Sequence, residues 1–368
     1  MNSPLKIVFC GLSITSSWGN GHATTYRSLL RALAGRGHQL LFLERDQPWY
    51  AGNRDLPSPE YARTELYRSV SELKDRFAAD IRDADAVVVG SYVPDGIAVG
   101  TWVTREARGI RAFYDIDTPA TLAMLEGRTA DTNAIPYLSA DLIPRFDLYL
   151  SFTGGPILSK LEKNYRARMA RPLYCSVDME RYYPEEHPIA WDIGYLGTYS
   201  DDRQPALDRM LVSLARQWTN GRFVVAGPQY PADLLWAANI DRIAHLAPNE
   251  HRKFYNSQRF TINVTRKDMV MAGFSPSVRL FEAAACGTPI ISDDWPGLGT
   301  FFRRSGPEME ILVARGATEV HQYVTGIPER ERVAIGQRAR ARVGREHSSS
   351  RRAIQFESYL NEVLTGRP

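Results

Sequence analysis

The sequence predicts an α/β protein of two doubly wound parallel-sheet domains, and three observations predict it. The chain has 368 residues, too many for one ordinary hydrophobic core and comfortable for two. Short β-branched runs alternate with longer helical patterns almost throughout, which is the mark of βαβ units. The alternation stops once, near 176–191, where SVDMERYYPEEHPIAW carries two prolines and four acidic residues without periodicity. That segment reads as a linker.

In the first half, KIVFCG (6–11), QLLFLE (39–44), AVVVG (86–90), RAFYD (111–115) and LYLSF (148–152) read as buried parallel strands. Between them, ATTYRSLLRALAGRG (23–37) and ELYRSVSELKDRFAADIRD (65–83) place apolar residues at helical spacing. The second series runs DIGYLG (192–197), RFVVAG (222–227), IDRIAHL (240–246), RFTINV (259–264), TPIISD (288–293) and EILVA (310–314). The expected domains are 1–180 and 190–348, followed by a terminal segment, 349–368, with a helix over about 350–364. In such sheets ligands bind at the carboxyl ends of the strands, so the expected site lies where the two domains face each other.

Composition excludes several classes. The chain is 44% hydrophobic and 24% charged, which is neither disordered nor fibrous. The longest apolar runs, such as 280–287, fall far short of the roughly 20 residues a membrane helix needs. Cys10, Cys175 and Cys286 lack CxxC spacing and sit in apolar settings, as reduced core residues do. With no basic-then-apolar leader before the first strand, the expected location is cytoplasmic. Between Arg330 and Arg352, eight arginines against two glutamates carry +6, while the whole chain carries +3. Charge confined to one stretch argues against a nucleic-acid partner. It fits a solvated helix face or a weak contact with a membrane surface.

The strongest local signal is MAGFSPSVRLFEAAACGTPIISDDWPGL (271–298). A loop of small residues ends at a helix start, where backbone N–H groups and the helix dipole favour a phosphate. Ser275, Pro276 and Ser277 form that entry, Arg279 follows one turn in, and Glu282 is placed to accept the hydroxyls of a ribose. Each residue alone also reads as an N-cap or an exposed polar group; the combination, followed by Cys-Gly-Thr-Pro and a strand, is far more specific.

This segment resembles the donor-binding core of GT-B glycosyltransferases. TGGPILSKLE (153–162), YDIDTP (114–119), PLYCSVD (172–178) and DIGYLGTYSDDRQ (192–204) extend the resemblance to the CgeB-type, spore-maturation-like group. The resemblance implies two Rossmann-like domains facing a central cleft, with the acceptor on the first and a nucleotide-sugar on the second. It also implies a last helix that crosses back to the first domain. By the same resemblance, Gly197, Thr198 and Arg203 reach the diphosphate, and Gly227, Pro228, Gln229 and His245 lie near the base. Arg266 ends a strand on the same side. Many retaining relatives carry a Glu eight residues before the ribose-binding one; here that position is Phe274, so neither retention nor the donor sugar carries over.

Other motifs fail. The first loop has no GxGxxG, and the chain has no GxxxxGK[ST] and no GxSxG. Asp115-Ile-Asp117 matches a metal-holding DxD only superficially, so no metal is expected. His22 follows Gly19-Asn20-Gly21 at the end of the first loop, and Asp115 and Asp117 close a later strand of the same sheet. Inverting enzymes of similar build use such a His as base, oriented by an Asp. The expected function is transfer of a sugar from a nucleoside-diphosphate donor, UDP- or dTDP-linked, to a glycan, lipid-linked or small-molecule acceptor, without another cofactor. A GT-B epimerase and a silent nucleotide-sugar binder are the alternatives.

Overall fold

The computed structural model describes residues 4–128 and 136–366. The chain divides into two compact units, residues 1–176 with 349–368, and residues 177–348. The first holds seven parallel strands: β1 (Lys6–Gly11), β2 (Gln39–Arg45), β3 (Arg63–Tyr67), β4 (Ala86–Gly90), β5 (Ile110–Asp115), β6 (Leu148–Ser151) and β7 (Ala170–Pro172). Their order is β3-β2-β1-β4-β5-β6-β7, so β1 pairs Ile7 with Leu40 on one side and Ala86 on the other. Every residue of β4 is buried, as a strand covered by helices on both faces requires.

Two strands and one helix boundary differ from the sequence expectation. Residues 63–67 form an edge strand, and the helix expected from 65 begins at Val70. The cause is a capping box: Ser69 Oγ accepts the Glu72 N–H at 3.1 Å, and Glu72 accepts the Arg68 N–H at 2.8 Å. The three-residue β7 ends in Pro172, which an edge strand tolerates.

The second unit holds β8 (Trp191–Leu196), β9 (Phe223–Ala226), β10 (Ile240–Ile243), β11 (Gln258–Asn263), β12 (Ile290–Ser292) and β13 (Leu312–Val313). They are all parallel, in the order β10-β9-β8-β11-β12-β13. The expected linker is not loose. From Val177 onward it belongs to this unit, with Tyr182 buried and the Tyr183 carbonyl accepting Asn256 Nδ2 at 3.1 Å. The helix Val278–Ala285 ends at Cys286 because Gly287 turns left-handed, φ +74°, and donates to the Ala284 carbonyl at 2.9 Å. The Cys-Gly-Thr-Pro of the sequence is therefore a helix terminator.

The last helix, Ser349–Thr365, belongs to the first unit and packs along the helix Gly21–Gly35. Glu357 fastens it, accepting Arg36 Nη2 at 2.6 Å and bonding His38 Nε2 at 2.8 Å. His38 Nδ1 accepts the Leu5 N–H, so Nε2 carries the ring proton and donates. Burial raises the Glu357 carboxyl, but the bonds from Arg36 and His38 outweigh it and hold it below its usual value. Glu357→Ala strands a buried imidazole N–H and frees a guanidinium that is 37% exposed. It is expected to cost roughly 2 kcal/mol of stability, read as a fall in Tm with nucleotide binding retained.

The basic stretch is mostly tied internally. Arg332, Arg338, Arg340 and Arg342 donate to Arg259 O, Met309 O, Ala285 O and Glu310 respectively. Arg352 is among the largest fully buried side chains and donates to Tyr174 O at 3.1 Å. Only Arg330, Arg345 and Arg351 are exposed, and the stretch divides between the two units. Among the described residues no helix is long and apolar enough to cross a membrane. The three cysteines are buried, and burial pushes the Cys10 thiol up to about 12.

Candidate active site

In the second sheet the strand order reverses between β8 and β11, so the loops after Leu196 and Asn263 diverge and leave a crevice at the carboxyl ends. Arg279, in the first turn of Val278–Ala285, fills the floor of that crevice. It is 8% exposed, donates Nε to the Leu196 carbonyl and Nη1 to Asn263 Oδ1 at 3.1 Å, and lies 4.8 Å from the Tyr195 ring centre. Ser277, the N-cap, donates to the same Asn263 oxygen at 2.8 Å. Asn263 Nδ2 donates in turn to Ser292 Oγ at 3.0 Å, so one amide registers three elements.

Arg203 enters from the loop after β8. Its Nη2 donates to the Thr198 carbonyl at 2.7 Å, and its buried Nε has no partner. Burial holds its guanidinium below the usual arginine value, against the pull of Tyr195 and, more weakly, Asp202, and the charges of Arg279 and Arg266 act in the same direction as burial. Arg266 is half-exposed, 3.6 Å from Asp202. Neither Arg203 nor Arg279 is hydrogen-bonded to a carboxylate. Asp202 accepts the Lys267 N–H and Asp293 accepts Thr265 twice, at 2.9 Å each. Two half-to-fully buried guanidinium groups on neutral acceptors are costly in isolation and are stabilised by an incoming anion.

The neighbouring loops are locked to this floor. Gly227 has φ +140°, and a Cβ there would meet the Gly197 carbonyl at 2.1 Å, so both turns can touch only as glycine. Pro228 O accepts the Tyr199 N–H at 3.0 Å and Gly197 O accepts Tyr230 OH at 3.2 Å. Gln229 is exposed with φ +69°, and His245 is exposed two residues past β10. Ser275 and Pro276 are buried in the turn formed by Gly273, φ +66°, and Phe274, φ +48°.

Glu282 is 4% exposed. It accepts Tyr255 OH at 3.2 Å and a bond from Tyr182, and His251 Nδ1 lies 3.7 Å away with no hydrogen-bond partner. Sequence reasoning missed these three neighbours, which come from three separate segments with no motif of their own.

In the first unit, His22 and Asp117 are brought together through a third residue. His22 donates its backbone N–H to Asn20, the N-cap of Gly21–Gly35, and its ring meets Tyr92 edge-on at 5.2 Å. Tyr92 OH donates to Asp117 Oδ2 at 3.3 Å. Asp115 is not brought to His22. It is fully buried and accepts Tyr149 OH at 2.6 Å, Thr121 Oγ1 at 2.7 Å and the Asp117 N–H at 3.3 Å. His22 Nδ1 is buried without a partner, and burial lowers the ring to about 4.

Burial raises Asp115 to about 6, against the bonds from Tyr149 and Thr121. A carboxyl raised on folding keeps its proton longer folded than unfolded, so stability falls as pH rises from about 4 to about 6. Asp115→Asn is expected to flatten that slope, measured by chemical denaturation across pH 4–7; an unchanged slope removes Asp115 as its source. Among the described residues no group of three or more His, Cys, Asp or Glu is placed to hold a metal ion.

Residues 203–358 match the family model described as glycosyl transferase-like. No curated protein matches the chain in sequence. Among solved structures it is similar to a sucrose-phosphate synthase from Thermosynechococcus elongatus, at 14% identity and TM-score 0.70 over 99% of this chain and 100% of that one. It is similar to Anabaena HepE in complex with UDP, at 13% identity and TM-score 0.71 over 97% and 100%. The catalytic domain of starch synthase IV from Arabidopsis thaliana, bound to ADP and acarbose, matches at 10% identity and TM-score 0.68 over 99% and 100%. With two doubly wound sheets, a last helix returned to the first unit and whole-length matches of this kind, the chain has the GT-B fold of glycosyltransferases.

Proposed function

We propose that the protein is a glycosyltransferase of the CgeB-like group that moves a sugar from a UDP- or dTDP-linked donor to an acceptor hydroxyl, in the cytoplasm and without a metal. One observation carries this reading. Arg279 and Arg203 crowd the switch point of the second sheet on carbonyl and amide oxygens alone, with Arg266 beside them. A diphosphate supplies the direct anionic partner that Asp202 and Asp293 provide only through space, and the N-terminus of Val278–Ala285 adds backbone N–H groups. The fold's relatives fit: HepE was solved with UDP and the starch synthase with ADP.

In this reading Glu282, already steadied by Tyr255 and Tyr182, turns its remaining acceptor capacity to the ribose hydroxyls. Gly197 and Thr198 flank the diphosphate beside Arg203, Gly227, Pro228, Gln229 and His245 border the base, and His22 of the first unit removes the acceptor's proton. Arginine and a helix dipole offset the departing diphosphate charge, so no cation is needed.

Thermal unfolding with nucleoside diphosphates tests the donor assignment. At a hundred times Kd, ligand linkage adds about 2.7 kcal/mol, a rise of roughly 5–10 °C in Tm. UDP or dTDP is expected to produce it with EDTA present, and UMP is expected to produce less. No rise with any nucleoside diphosphate overturns the assignment, and a rise that EDTA abolishes overturns metal independence. Release of UDP from a UDP-sugar only when acceptor is added separates a transferase from a silent binder.

A further inference from the structure

Among the described residues three aromatic side chains are exposed, and all three stand on one edge of one sheet. Trp18 and Trp49 are each 53% exposed and Tyr92 is 38% exposed. Trp18 lies in the loop after β1, Trp49 in the short helix Pro48–Ala51 after β2, and Tyr92 two residues after β4. These strands are neighbours in the order β2-β1-β4 and run parallel, so all three side chains stand at the carboxyl edge. Single exposed aromatics are unremarkable in a surface; a whole complement gathered on one edge is a feature.

The frame beneath them is rigid. Glu44, at the end of β2 and fully buried, accepts Ser13 Oγ at 2.9 Å, the Ile14 N–H at 2.7 Å and Thr15 Oγ1 at 2.6 Å. Asp55 takes both arms of Arg27, at 2.8 and 2.9 Å, and the Ser17 N–H at 2.8 Å. Ser16 Oγ donates to Asn53 O at 2.7 Å and Asn53 Nδ2 to Trp49 O at 3.0 Å, which ties the two tryptophan-bearing segments together. Tyr92 holds φ +60°, a left-handed conformation that a tyrosine keeps only when its surroundings impose it. Its ring packs on Tyr137 at 4.6 Å.

We propose that this edge is the acceptor subsite and that the acceptor is a saccharide, its pyranose C–H faces stacked on Trp18 and Trp49. The inference rests on the glycosyltransferase reading for the word acceptor. The negative face of an indole attracts the weakly positive C–H groups of a sugar ring, and pre-set rings lose little entropy on binding. A lipid surface fits less well. It requires a contiguous apolar face and unpaired basic groups, whereas Arg27, Arg45 and Arg54 are each paired, with Asp55, Asp95 and Asp46.

Intrinsic tryptophan emission of the full chain tests this, titrated with maltotriose, cellotriose and triacetylchitotriose, and separately with phosphatidylglycerol vesicles. At least one trisaccharide is expected to shift the emission, and Trp18→Ala and Trp49→Ala are each expected to weaken that saccharide's Kd about tenfold. The UDP-induced rise in Tm is measured on the same variants and is expected to be unchanged. No response to any trisaccharide, a response that survives both substitutions, or a response to vesicles alone overturns the saccharide subsite. Loss of the UDP effect in the wild type sinks the donor assignment instead and leaves the emission result to be judged by itself.

Discussion

Arg279→Ala is expected to weaken UDP binding about a hundredfold, against a smaller loss for UMP, in isothermal titration of the folded variant. The magnitude follows from removing a charge-assisted contact, worth about 1.5–3 kcal/mol, and with it the group that registers Asn263 against the Leu196 carbonyl. The effect should fall on the diphosphate because Arg279 stands at the helix start beside Ser277, where backbone N–H groups add to the anion site. Arg279→Lys keeps a charge but loses the fork that reaches Leu196 and Asn263 together, and is expected to recover only part of the affinity. Equal losses for UDP and UMP would move Arg279 out of the phosphate site. Unchanged affinity in the alanine variant would end the diphosphate assignment altogether.

How far the sequence leads depends on whether the signal is periodic or spatial. The fully buried runs around Val87–Val89 and Val224–Ala226 are legible because strands covered on both faces must be apolar throughout. The edge strand Arg63–Tyr67 is not, since one side meets solvent and its polar residues merge with the helical pattern beyond. The Ser69–Glu72 capping box was the local signal that marks the boundary. In the site, Arg279 and Glu282 are legible because one short helix carries both at a fixed distance from its start. The convergence of Arg203 on Arg279 is not, because it depends on the order of β8 and β11, which no local pattern encodes. Asp115 shows the opposite failure: its place at a strand end is correct, but its commitment to Thr121, in the helix that follows, and to Tyr149, on the next strand, is not marked by any local pattern.

His22→Ala is expected to lower kcat by about 10²–10⁴ while UDP affinity stays at the wild-type value. The substitution is mild for the fold. His22 contributes its backbone N–H to the Asn20 cap, and alanine supplies the same N–H with the best helix propensity. What is lost is the imidazole, and three features suit that ring to removing a proton. It stands at the carboxyl edge of the first sheet. Tyr92 holds its orientation from one side and is itself held by Asp117. Burial lowers it to about 4, so the ring is neutral and its lone pair available at any pH well above that value. The sign follows directly: the base is lost only as pH falls through about 4, so kcat should hold at pH 5.5, where an unperturbed histidine would already be mostly protonated. A base on the acceptor also implies direct displacement, so the product's anomeric configuration should be opposite to the donor's, as read by NMR of the first turnovers. Phe274, at the position where the sequence resemblance places a Glu in many retaining enzymes, points the same way. A kcat within threefold of wild type in His22→Ala, or a wild-type acid limb near pH 6.5 that the substitution leaves in place, would remove His22 from the chemistry.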